Sequence, residues 1–163
     1  MSDYRYLLDR TWSASAAVER VLWVMLNPSS ADGHRDDPTI RRCVGFSARY
    51  GAAALTVVNL YALRSAVPAA LWAHPDPVGP DNDEQLHHVL RAAAMEGWPV
   101  VCAWGVHGRS DRTRVVTDLI RTAGCTPLVL GLTSGGQPRH PLYVPGRNVP
   151  VPWATAAESS AVC

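Results

Sequence analysis

Four short apolar runs, Val21–Leu26, Leu55–Leu60, Pro99–Trp104 and Pro127–Leu132, recur along the chain, with a longer segment of different character in each interval. Each run is strand-length and bounded by turn residues, which is the pattern of a strand buried on both faces. In the first interval Asp37 is placed as an N-cap with Pro38 at the first helical position, opening a helix through about Tyr50 that Gly51 stops. Asp81 or Asp83 caps a second helix, whose apolar face carries Leu86, Val89, Leu90 and Ala93 and which ends at Gly97. A third helix runs from about Asp111 to Ala123, with Gly124 after it. Strands alternating with helices predict a parallel sheet between helical layers. The expected fold is therefore α/β, a three-layer sandwich around a central four-stranded parallel sheet. The proline-bearing stretch Arg64–Pro80 is expected to be an irregular functional loop, and the segment after Pro145 an extended tail.

A chain of 163 residues fits one domain, with an ordered core expected over about residues 4–153. Apolar residues at 47% and charged residues at 18% exclude a disordered chain. The net charge of +1 offers no global attraction for nucleic acid, so contact with such a partner would need a local patch. All 15 basic residues are arginine, which matches a bias toward GC-rich codons alongside abundant Ala, Val, Pro and Gly. Cys43, Cys102, Cys125 and Cys163 are scattered without close-spaced pairs, so neither a metal site nor a cofactor is expected. Buried thiols, no secretory leader and no membrane-length apolar window lead to the expectation of a cytoplasmic protein with no membrane association.

Ligands of open α/β sheets bind beyond the carboxyl ends of the strands. The residues at those ends are Asn27, Pro28 and Ser29 after the first strand, Asn59 and Tyr61 at the second, Trp104 and Gly105 at the third, and Arg139, His140, Leu142 and Tyr143 after the fourth. This rule predicts that they converge. Asp36 joins them as a candidate general base, because a carboxylate near such a crevice can take a proton. Asn59 is informative, since a polar amide ending a buried strand must find partners, either backbone groups or a ligand. Bland readings stand beside each: Asn27-Pro28 as a turn initiator, Trp104 as core, Asp37 as a cap. His87 and His88 are read as solvated, and His107 near Arg109 and Arg112 as a possible anion site.

The motifs Leu26-Asn27-Pro28-Ser29, Asp36–Cys43, Asn59-Leu60, Asp76–Asn82, Ala103–Gly105 and Arg139–Tyr143 resemble a bacterial family catalogued mainly as a domain of unknown function. The likeness covers about residues 4–153. More distantly, the order of strand-end motifs is similar to the uracil-DNA glycosylase superfamily. That superfamily has a catalytic motif after the first strand, a base-reading Asn on the second, Trp-Gly after the third and His-Pro after the fourth. Here the matching positions are Asn27-Pro28, Asn59, Trp104-Gly105 and His140-Pro141. The departures are the missing glycines around the first motif and His140-Pro141-Leu142-Tyr143 where His-Pro-Ser is usual.

This resemblance implies a hydrolase acting on the N-glycosidic bond of a modified or deaminated base, with DNA or a nucleobase-containing small molecule as partner. It also implies a sheet with the first strand between the second and third. Asn27 would position water, Asn59 would read the base and His140 would stabilise the leaving base. Leu142 or Tyr143 would fill the gap left by a flipped base. Two other functions fit the same crevice: a non-catalytic nucleic-acid or nucleotide-binding module, and a hydrolase or transferase of an unrelated metabolite.

Overall fold

The computed structural model describes residues 2–154. Its elements are β1 (Leu8–Thr11), β2 (Val21–Met25), α1 (Pro38–Arg49), β3 (Ala54–Asn59), α2 (Ala69–Ala73), α3 (Asn82–Glu96), β4 (Val100–Cys102), α4 (Ser110–Thr122), β5 (Pro127–Val129), a 3-10 turn (Pro141–Tyr143) and β6 (Val151–Pro152). They form a mixed six-stranded sheet of order β1-β3-β2-β4-β5-β6. The expected sheet of four parallel strands is therefore too small. β3, β2, β4 and β5 do run parallel, but β1 adds to β3 and β6 to β5, both antiparallel.

Strand periodicity sorts the apolar side chains onto two faces. Leu22, Val24, Val58, Val100, Cys102 and Trp104 join one core cluster, which receives Leu86, Val89, Leu90, Val116 and Ile120 from α3 and α4. Val21, Trp23, Met25, Leu55, Val57 and Val101 join the other, which receives Ile40, Cys43 and Phe46 from α1. β2 sits at the centre, with Trp23 level with both Val57 and Val101. The one polar atom of this fully buried tryptophan, Nε1, donates to Ser47 Oγ at 2.8 Å.

The helices begin and end close to where their signals fall. Asp37 caps α1 by accepting from the Ile40 amide at 2.8 Å, and Gly97 closes α3 in the left-handed conformation at φ 72°. Asp81 occupies the N-cap position of α3 without a side-chain cap bond. The stretch from Arg64 to Pro80 is not wholly irregular, because it contains the five-residue α2 with Leu71 buried. The tail expected to be extended folds back in part: β6 pairs with β5, and the Trp153 ring meets Trp104 edge-on at 5.6 Å. Cys163 lies outside the described residues. Among the described residues no helix is long and apolar enough to cross a membrane.

Candidate functional site

The loops leaving β2, β3, β4 and β5 meet over the carboxyl end of the sheet, as open α/β topology requires. They enclose a cleft of about 910 Å³. Asn27, Pro28, Ser29, Asn59, Trp104, Gly105, Arg139, His140, Leu142 and Tyr143 all line it. Asp36 and Tyr61 do not. Asp36 turns to the β1 side and forms an ion pair with Arg10 at 2.6 Å. Tyr61 is 3% exposed in the opposite core cluster, where its ring meets Trp72 edge-on and its hydroxyl accepts from the Arg109 amide.

Asn27 is oriented by its surroundings. Its Nδ2 faces three carbonyls, of Pro28, Leu63 and Ser65, at 2.9, 3.2 and 2.9 Å. Only the amide nitrogen can donate to carbonyls, so this assigns the amide unambiguously and leaves Oδ1 as an acceptor with no protein donor. Asn59 is the reverse case. The residue is 4% exposed and lines the cleft, yet its side chain makes no hydrogen bond within the protein. Its amide atoms are not fully occluded: they face the cleft, where the edge of a ligand would pair with them. Its backbone, by contrast, is pinned: Asn82 Nδ2 donates to the Asn59 and Leu60 carbonyls, both at 3.1 Å, and Arg112 Nε donates to Leu60 at 2.7 Å.

His140 caps the 3-10 turn, its Nδ1 accepting from the Leu142 amide at 3.3 Å. That bond needs Nδ1 unprotonated, so the neutral ring carries its proton on Nε2 as a donor. Burial holds the imidazole below its ordinary pKa range, opposed by the nearby Asp37 carboxylate. Gly105, at φ 76°, passes close beneath; a Cβ there would lie 3.3 Å from His140 Cβ. Trp104 forms a wall, 1% exposed, its Nε1 donating to Gln137 Oε1 at 2.9 Å.

Several lining residues carried no clear sequence signal. Asp37, read only as a helix cap, is the sole carboxylate lining the cleft among the described residues; besides Ile40, its other oxygen accepts from the Ala31 amide at 3.3 Å. Arg5 reaches in from the β1 side, bonded to the Ala31 carbonyl, with a buried Nε that has no partner. Arg42 on α1 holds the turn from behind by donating to the Pro141 and Val144 carbonyls. The possible anion site near His107 is dispersed: Arg109 stacks on Trp72 at 4.0 Å and Arg112 pairs with Asp83 at 2.7 Å, leaving only His107 in the cleft. Among the described residues no three His, Cys, Asp or Glu side chains are grouped to hold a metal ion.

These features define an α/β protein with a polar-floored cleft at the carboxyl end of a largely parallel sheet. The chain belongs to the family described as a protein of unknown function (DUF1643), whose model matches residues 5–142. No curated protein and no solved structure matches it, and nothing in these comparisons ties it to the uracil-DNA glycosylase superfamily. The family-like stretches acquire physical roles here. Asp36–Cys43 supplies an ion pair, a cap, the arm that holds the His140 turn and the core residues Ile40 and Cys43. Asp76–Asn82 ends in the side chain that pins the backbone of Asn59.

Proposed function

We propose that the cleft takes up a nucleobase and hydrolyses its N-glycosidic bond. The observation that carries this reading is the meeting of three oriented groups in one cavity: an acceptor on Asn27, an unpartnered amide on Asn59 and a neutral imidazole on His140. The placement of β2 between β3 and β4 supports it further, because that order accompanies the resemblance in the strand-end motifs.

Breaking a C–N glycosidic bond builds positive charge on the sugar and negative charge on the base. Asn27 Oδ1 accepts a hydrogen bond from the attacking water and aligns it on the anomeric carbon; as the C–N bond breaks, the water oxygen bonds that carbon, and the proton it gives up passes through solvent to the departing base anion. Asn59 offers both a donor and an acceptor, complementary to the amide-like edge of a base. His140 Nε2–H donates to the departing base, and a preorganised donor in a partly buried site is effective there. Asp37, the carboxylate that lines the cleft among the described residues, would offset positive charge developing on the sugar.

The test is product release from a panel of oligonucleotides and free nucleosides carrying deaminated or modified bases, with Asn27→Ala and His140→Ala as controls. Free base should appear with wild type and fall by about 10²–10³-fold in each variant, the usual scale for losing one transition-state contact. If the whole panel stays intact, or the variants match wild type, the reading fails. A panel left intact while one base raises the melting temperature would indicate a binding module.

A further inference from the structure

All 15 basic residues are arginine, and the acids are unevenly placed along the chain. No Asp or Glu occurs between positions 37 and 76, or between 118 and 158. The fold brings parts of these two acid-free stretches together: α1 packs against the 3-10 turn and the segment around it through Arg42 and the core residues Phe46 and Val144. α1 carries Arg41, Arg42 and Arg49 without a single acid, whereas α3, across the sheet, carries Asp83, Glu84 and Glu96 against Arg91 alone.

Arg42 and Arg49 lie 5.0 and 4.9 Å from the Phe46 ring centroid, and each has a guanidinium nitrogen 3.7 Å from where a Cβ on Gly146 would sit. Two like charges are thus held close together with no carboxylate between them. Among the described residues, the exposed side chains of Arg49 and Arg147 make no ion pair or hydrogen bond. This basic face reaches the rim of the cleft at Arg139, where Leu142 and Tyr143 stand 42% and 75% exposed.

We propose that the face formed by α1 and the segment 139–147 tracks the phosphodiester backbone of a nucleic-acid strand and presents one nucleotide to the cleft. The partner is a polymer, which deepens the functional reading above and rests on it only for what happens to that nucleotide. Guanidiniums with spare donors match phosphate oxygens, and an exposed tyrosine beside a basic track offers a stacking platform for a base. An anionic membrane would also take up the charges and Tyr143, so anionic vesicles serve as the competing arm of the test.

The experiment measures binding of a fluorescent single-stranded DNA and an RNA of the same sequence against salt concentration, for wild type and for the double variant Arg49→Gln/Arg147→Gln. Neither residue lines the cleft; Arg49 does stack on the Phe46 ring, so the fold of the variant is checked alongside binding. Wild type should bind with a steep salt dependence, and the variant should lose about 1.4 from the log–log slope, at about 0.7 per phosphate contact, while remaining folded by circular dichroism with a melting temperature lowered by no more than the loss of the Phe46 stacking contact allows. The proposal is overturned if wild type does not bind, if the slope is the same in both proteins, or if phosphatidylserine vesicles compete the strand away. Slope loss without base release keeps the surface and removes the glycosidic reading; release of base from a nucleoside with equal slopes does the opposite.

Discussion

Arg42 donates through Nε to the carbonyl of Pro141, 99 positions further along the chain, and the same guanidinium reaches the carbonyl of Val144. The helix after the central strand therefore holds the turn that presents His140. Replacing Arg42 by Met keeps the stem over Phe46 but deletes both charge-assisted bonds. We expect a loss of about 2–3 kcal/mol in urea unfolding, with faster amide exchange at Leu142 and Tyr143. An unchanged exchange rate would mean the turn stands without the arginine.

Asn59 separates stability from function. Because its amide faces the cleft and makes no hydrogen bond to the described residues, Asn59→Leu should change stability by at most about 1 kcal/mol while abolishing ligand recognition. A loss of more than about 2 kcal/mol on denaturation would show that the amide serves the fold.

The two neighbouring carboxylates should behave differently. Asp36→Asn breaks a partly exposed ion pair with Arg10 and should cost at most about 1 kcal/mol, with the cleft intact. Asp37→Asn keeps an oxygen for the Ile40 cap but turns a donor toward the Ala31 amide and removes the cleft's carboxylate, so it should cost about 1–3 kcal/mol while turnover drops. Equal activity in the two variants would refute this division of roles.

His140 sets a pH dependence with a defined sign. Its folded pKa lies below the ordinary 6.5, so the unfolded chain binds the proton more readily. The His140 contribution is fully present above about pH 6.5 and is lost as pH falls from there through the folded value. Thermal melts between about pH 7.5 and about pH 5.5 should decline less steeply in His140→Gln than in wild type. Parallel curves would remove His140 as a contributor.

Gly105 combines a left-handed backbone with a close approach to His140. Gly105→Ala should cost about 1–2 kcal/mol from conformation alone and shift the imidazole, lowering turnover more than binding. Activity equal to wild type would show that the turn gives way without moving the ring.

What the sequence made legible follows from burial. β2 and β3 are covered on both faces, so every side chain is apolar or packed and the runs stand out. β1 was hidden because an edge strand shows solvent one side: Asp9 and Arg10 serve ion pairs, and only Leu8 is buried. α2 has five residues and follows a proline, too short for a helical period to register. The strand-end rule brought out Asn27, Asn59 and His140 because it needs only the order of strands. It misplaced Tyr61, which would share a face with Asn59 if β3 continued. The strand stops at Asn59 and the chain turns, sending Tyr61 with Leu60 into the opposite cluster. At Asp36 and Asp37 the capping bonds to Ile40 and Ala31 decide which neighbour faces inward, and no spacing reveals that.

The outermost strands have a bearing on how the protein behaves in concentrated solution. Leu8–Thr11 and Val151–Pro152 occupy the two borders of the sheet, where unpaired backbone invites association with other chains. One border carries Asp9 and Arg10, the other a proline that cannot donate, and both deter a foreign strand. Trimming either segment would bare β3 or β5, strands rich in apolar side chains, and open a border that another strand can extend.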